Sequence, residues 1–129
     1  MKSMMLALGL VAAATAASAD PVEGLWKTKP DDNGHYGYVQ IDPCGAAFCG
    51  RLVKAFDQAG AEIASPNIGK QIVWDMVAQG DGAYGDGKVW SPDRDKTYSS
   101  KMQLDGNSLA VSGCVLMICR DGGTWTRVQ

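Results

Sequence analysis

Histidine is nearly absent from this 129-residue sequence: there is one, His35, beside Gly34 in a polar stretch. A base for nucleophilic catalysis needs a partner within reach, and a lone imidazole in a polar turn has none, so His35 reads as a solvated turn residue. Runs of like charge are also missing. The 12 Lys and Arg against 14 Asp and Glu give a net charge of −2, with no basic footprint for nucleic acid or anionic lipid, which excludes nucleic acid as a partner. No EF-hand ladder of oxygen ligands appears. The Asp- and Gly-rich stretch Asp81 to Gly87 and the pair Asp93 and Asp95 therefore read as hairpin turns rather than a calcium site. No apolar run reaches the roughly 20 residues of a bilayer-crossing helix, and no long segment after residue 20 has helical periodicity.

What is present begins with an N-terminal signal. Lys2 supplies a single cation, Met4 to Ala14 an uncharged apolar run, and Ala17-Ser18-Ala19 a small-residue cleavage site. The expected organisation is a cleaved signal peptide at 1–19 and one domain at 20–129, exported to the periplasm or secreted, with no transmembrane segment in the mature chain. Removing 19 residues from 129 leaves 110 and takes Lys2 with them, so the net charge becomes −3.

In an oxidising compartment four cysteines in two equally spaced pairs read as disulfides. Four residues separate Cys44 from Cys49 and Cys114 from Cys119. That is a common hairpin-loop length and favours the local pairing, 44 to 49 and 114 to 119, each pair opposite across a tight turn. Long-range connectivities would stabilise more, roughly 4 kcal/mol against roughly 2, and stay open at this point. The spacing is not the C-x2-C of zinc sites, so no metal and no other cofactor is expected.

Short β-rich segments recur between Gly, Asp, Asn and Pro clusters. Strands are expected near 22–29, 36–42, 48–56, 72–77, 88–91, 97–104, 108–115 and 124–128, with Asp57 to Gly69 as a loop or short helix at one mouth. Alternation puts Val39 and Ile41, Tyr98, Met102 and Leu104, and Leu109, Val111 and Val115 on one apolar face. About eight strands with one inner face make an all-β fold, either a sandwich or a closed up-and-down antiparallel barrel; the barrel leaves no edges.

Gly24-Leu25-Trp26, Cys44-Gly45, Cys49-Gly50-Arg51, Asp86-Gly87-Lys88-Val89, Lys96-Thr97-Tyr98 and Gly123-Thr124-Trp125-Thr126-Arg127 closely resemble the bacterial domain-of-unknown-function 2147 family. The likeness runs over essentially all of the mature chain and implies an exported, lipocalin-like β-barrel. The G-x-W opening and late arginine are also similar to lipocalins proper. The family usually has Gly before the Lys-Thr-Tyr segment, where this chain has Asp95. Physically, Gly24 allows close approach, Trp26 plugs one barrel end, Arg127 stacks on its ring, and Trp125 belongs to the same closure.

The binding candidates are aromatic and thioether side chains: Trp74, Met76, Tyr84, Trp90, Tyr98 and Met102. Ile72, Trp74 and Met76 alternate, as do Tyr98 and Met102, so inward faces would line a cavity for a small, largely apolar ligand. The leading expectation is thus an exported, non-enzymatic binding protein for such a ligand. The alternative is a cell-envelope interaction module with a filled core, docking a protein or glycan, for which outward aromatics in a contiguous patch would speak. An enzyme working through carboxylates such as Asp86 and Asp93 is the third reading.

Overall fold

The computed structural model describes residues 19–129; the segment read as a signal, Ala19 excepted, lies outside them. Among the described residues nine antiparallel strands form: β1 (Gly24–Lys27), β2 (Tyr36–Cys44), β3 (Ala47–Phe56), β4 (Glu62–Ile63), β5 (Gln71–Gly80), β6 (Ala83–Ser91), β7 (Lys96–Asp105), β8 (Ser108–Val115) and β9 (Ile118–Arg127). They are hydrogen-bonded in the order β2-β1-β9-β8-β7-β6-β5-β3-β4, and β2 pairs with β3 as well. Eight strands therefore close into the expected all-β up-and-down barrel. The ninth, β4, extends the same edge of β3: β5 pairs with Phe48, Gly50 and Arg51, and β4 with Ala55 and Phe56. Asp57 to Gly69 is thus a hairpin and turn rather than a helix, its first turn capped by Asp57 Oδ1, which accepts from the amides of Ala59 and Ala61 at 2.9 Å.

The seam between first and last strands is short, with two register pairs, Trp26 with Arg127 and Lys27 with Thr126. One barrel end gathers the β2–β3, β5–β6 and β7–β8 hairpins together with residues 19–23 and 128–129. The other carries the connections 28–35 and 57–70 and the β6–β7 and β8–β9 turns.

Period-two alternation fills the interior. Val22, Trp26, Val39, Ile41, Val73, Met76 and Leu109 are fully buried and join Leu52, Ile72, Tyr84, Met102, Val111 and Trp125 in one cluster. Glycine makes room where opposed side chains meet: a Cβ at Gly50 would lie 2.7 Å from Val39 Cγ1 and 3.0 Å from Val73 Cγ2.

Four expectations are corrected. Val115 does not face the core but is 59% exposed, because β8 runs on past the Cys114–Cys119 pair to the hairpin tip. Ile72, Trp74 and Met76 do not share a face, because the register slips along β5 and Asp75 takes a positive φ of 57°; Met76 is buried with Val73 while Trp74 is half-exposed. The Asp81 to Gly87 stretch is a turn only at Asp81-Gly82. From Ala83 it is strand, and Gly87 is there because Met76 Sδ occupies the space its Cβ would need, 2.6 Å away. β9 begins at Ile118 rather than near residue 124.

The disulfides are the favoured local ones, Cys44–Cys49 and Cys114–Cys119. Cys114 and Cys119 are directly opposite in the ladder, whereas Cys44 pairs with Ala47 and Cys49 with Asp42, so that bridge runs diagonally. Asp95 accounts for its own departure from the family pattern. Its φ is 48°, the left-handed region where Gly or Asp is at ease, and its carboxylate accepts from Trp90 Nε1 at 3.0 Å.

Candidate functional site

One barrel end is built from residues on either side of the seam, 20–24 and 127–129. Gly24, at φ 135°, lies against the Gln129 carbonyl, where a side chain would collide. The buried indole of Trp26 donates from Nε1 to the Val22 carbonyl at 2.9 Å. The Arg127 guanidinium sits over the ring at 4.3 Å and donates to the carbonyls of Glu23, at 3.0 Å, and Pro21. Gly24, Trp26 and Arg127 thus come together in one stacked plug, and Trp125 is buried beside Leu109, its ladder partner.

A second bond ties the N-terminal segment to the barrel wall. Asp20 Oδ1 accepts from the Val22 amide at 3.0 Å and from the Tyr84 hydroxyl, while Glu23 Oε2 accepts from the Asp20 amide at 2.7 Å, the reciprocal pattern of a capping box. Burial, and then the hydrogen bond to the Asp20 carboxylate, push the Tyr84 phenol well above its ordinary value of 10.

The six ligand candidates are not brought around one cavity. Met76, Tyr84 and Met102 are packed in the core, with Tyr84 opposite Met102 and its ring edge-on to Phe48 at 5.8 Å. Trp90 is half-exposed, tied to Asp95, with Lys70 Nζ 5.1 Å from its ring. Tyr98 is half-exposed and rests against Gly113, and Trp74 is opposite Lys88. Two surface depressions accompany them. One, about 180 Å³, lies beside the Cys44–Cys49 bridge with Asp42, Arg51 and Gln71 on its rim. The other, about 350 Å³, is a trough lined by Gln79, Ala83, Lys101, Gln103, Ala110 and Ser112 and bordered by Tyr84 and Met102.

Pattern reading missed an aromatic cluster. Tyr36 stacks on Phe56 at 5.0 Å, Tyr38 tilts against the same ring at 4.6 Å, and Lys27 Nζ lies 4.4 Å over Tyr36. Tyr36 and Tyr38 flank buried Gly37, so they face outward and the cluster is a contiguous patch on the outer wall. The signal was present in the alternation of Tyr36-Gly37-Tyr38, but nothing local announced the register that brings Phe56 opposite Tyr36.

The carboxylates do not assemble a site. Asp86 is exposed on a bulge in the middle of β6, and Asp93 is in the turn beyond it, about 15 Å or more along the strand. His35 is held in its turn by its backbone, its amide donating to Asp31 Oδ1 at 2.9 Å. Among the described residues no group of three or more His, Cys, Asp or Glu is placed to hold a metal ion.

The family profile described as an uncharacterized protein conserved in bacteria, DUF2147, matches residues 24–127, from the glycine of the plug to its arginine. The chain belongs to the DUF2147 family. A solved structure similar to this DUF2147 chain is protein HP1028 from Helicobacter pylori, described as belonging to the lipocalin family: it is 17% identical, with 87% of this chain and 85% of that one covered and a TM-score of 0.69. The likeness at that identity is one of fold, and this DUF2147 barrel is lipocalin-like. No curated protein matches the chain.

Proposed function

We propose that the protein is an exported, non-enzymatic interaction module of the cell envelope, in which a filled lipocalin-like barrel is the scaffold and the outer surface and loops engage a protein or glycan. The carrying observation is the interior: thirteen buried side chains form one cluster in which Met76, Tyr84 and Met102 are already packed against protein. A barrel of eight strands is just wide enough for its own side chains to fill, so burial of this kind leaves function to the outside. The outward cluster of Tyr36, Tyr38 and Phe56 supports the reading, as aromatics on a rigid wall are the usual anchors of an interface. Export is supported by the signal-like residues 1–19 and by two disulfides.

Tyr84 and Met102 border the 350 Å³ trough, and this favours a second reading, in which a small apolar ligand is held there. Native mass spectrometry of the oxidised mature protein, taken from its own compartment and compared with the denatured chain, separates the two. A bare chain mass supports the filled module. A reproducible small-molecule adduct, lost on substituting Tyr84, would replace it by the ligand-binding reading.

A further inference from the structure

The most exposed apolar side chains of the described residues lie together at one point, the β8–β9 hairpin. Val115 is 59% exposed, Leu116 94%, Met117 96% and Ile118 67%. They form a two-residue turn with its flanking pair, Val115 opposite Ile118, and the next pair down the ladder is the Cys114–Cys119 bridge. The finger is therefore held as a closed hairpin by a covalent bond at its base.

Two independent features of Leu116 disfavour stability at this point. Its side chain is apolar and in water, and its backbone is left-handed, φ 58°, in a position that suits glycine or asparagine. The other tight hairpins use such residues, Gly45-Ala46, Asp81-Gly82 and Gly106-Asn107. Strain and apolar exposure at the same tip point to a use for the side chain rather than for the turn.

The geometry points to a lipid bilayer as what the finger meets: we propose that Val115 to Ile118 insert into the outer part of a membrane and dock the barrel on it. A tip two residues wide is too small for the roughly 800 Å² per partner of a standard protein interface, but it matches shallow insertion. At about 3.3 Å per residue, Met117 stands about 10 Å beyond Arg120, which is exposed on the same strand. Arg120 is thus at headgroup level when the tip is at the depth of the acyl boundary, about 5–10 Å. The neighbouring carboxylate of Asp121 is turned onto the Gly123 amide at 2.8 Å. Insertion of this kind is driven by apolar contact, in keeping with a chain of net charge −2 that has no run of basic residues. It rests on the export reading, which puts the chain next to a membrane, and is independent of whether the barrel is filled.

The test is co-sedimentation of the oxidised mature protein with vesicles of phosphatidylethanolamine and phosphatidylglycerol. Wild type is expected to bind weakly and to stay bound in high salt. The double substitution Leu116→Gly with Met117→Asn gives the turn the residues it favours, so its melting temperature should rise while vesicle binding falls roughly tenfold or more. A single substitution, Met117→Trp, should show a blue-shifted emission with vesicles. Absence of wild-type binding, or equal binding by the double variant, overturns the proposal. So does concentration-dependent dimerisation that the double variant abolishes without any vesicle binding, which would make the finger a contact between copies. An adduct in the native mass spectrum would bear on the filled barrel alone and leave these outcomes as they are.

Discussion

Replacing Arg127 by alanine tests the plug that joins the ends of the chain. Three interactions disappear: the guanidinium over the Trp26 ring at 4.3 Å, and the hydrogen bonds to the carbonyls of Glu23, at 3.0 Å, and Pro21. A stacked cation contributes about 0.5–2 kcal/mol and a hydrogen bond from a charged donor about 1.5–3. The arginine is half-exposed and water can reach the freed carbonyls at the barrel mouth, so each interaction is worth less than the low end of its range and the total loss is about 2 kcal/mol. At a urea slope of about 1–2 kcal/mol per molar, the unfolding midpoint should fall by roughly 1–2 M with the slope unchanged. Arg127→Lys keeps a cation over the ring but cannot span both carbonyls, and should lose about half as much. The readout is urea unfolding followed by tryptophan fluorescence. A midpoint shift below about 0.3 M for the alanine variant would refute the idea that this residue closes the barrel.

Further expectations follow from other contacts. Tyr84→Phe removes the hydroxyl from Asp20 and should cost about 1–2 kcal/mol at neutral pH by the same urea assay. Because the folded phenol is held above its unfolded value of 10, its contribution is complete below pH 10 and is lost as pH rises through the raised value; the stability difference between wild type and Tyr84→Phe should shrink only in strongly alkaline solution. Gly50→Ala forces a methyl to within 2.7 Å of Val39 and 3.0 Å of Val73, and should lower stability by about 1–3 kcal/mol in thermal or urea unfolding. Opening the Cys44–Cys49 bridge with paired serines should cost about 2 kcal/mol, the figure for so short a loop.

The fold was legible because each signal it rests on is local. Period-two stretches such as Tyr98 to Leu104, the Asp105-Gly106-Asn107 turn and the equal cysteine spacings are all readable in windows of a few residues. What escaped was set by partners far away. Asp75 and Asp86 take left-handed conformations on adjacent strands where the register shifts, β5 against β3 and β6 against β7, so the alternation of Ile72, Trp74 and Met76 misassigns a face. Gly85 and Gly87 read as turn residues, yet they are in a strand where Gln79, on the one side, and Met76, on the other, leave no room for a Cβ. Glycine chosen for its size looks the same in sequence as glycine chosen for its dihedrals. The candidate ligand set was the least legible part. An aromatic at an inward position lines a cavity or fills it depending on the summed volume of the other inward residues, and Val22, in the turn two residues before β1, supplies part of that volume.

The two-pair seam has a kinetic meaning. Trp26 and Arg127 are 101 positions apart, and the last residues are bonded into the barrel as firmly as the first: the amide of Val128 donates to the Leu25 carbonyl at 2.7 Å, and the amide of Leu25 to the carbonyl of Gln129 at 2.9 Å. Contacts of such long sequence separation form late, after the nearest-neighbour hairpins are in place. A chain made amino end first therefore pairs β1 with β2 early and leaves its other edge bare until β9 is available. Through that interval it is an open sheet with two bare edges, and it becomes a barrel in one closing step when β9 docks against β1.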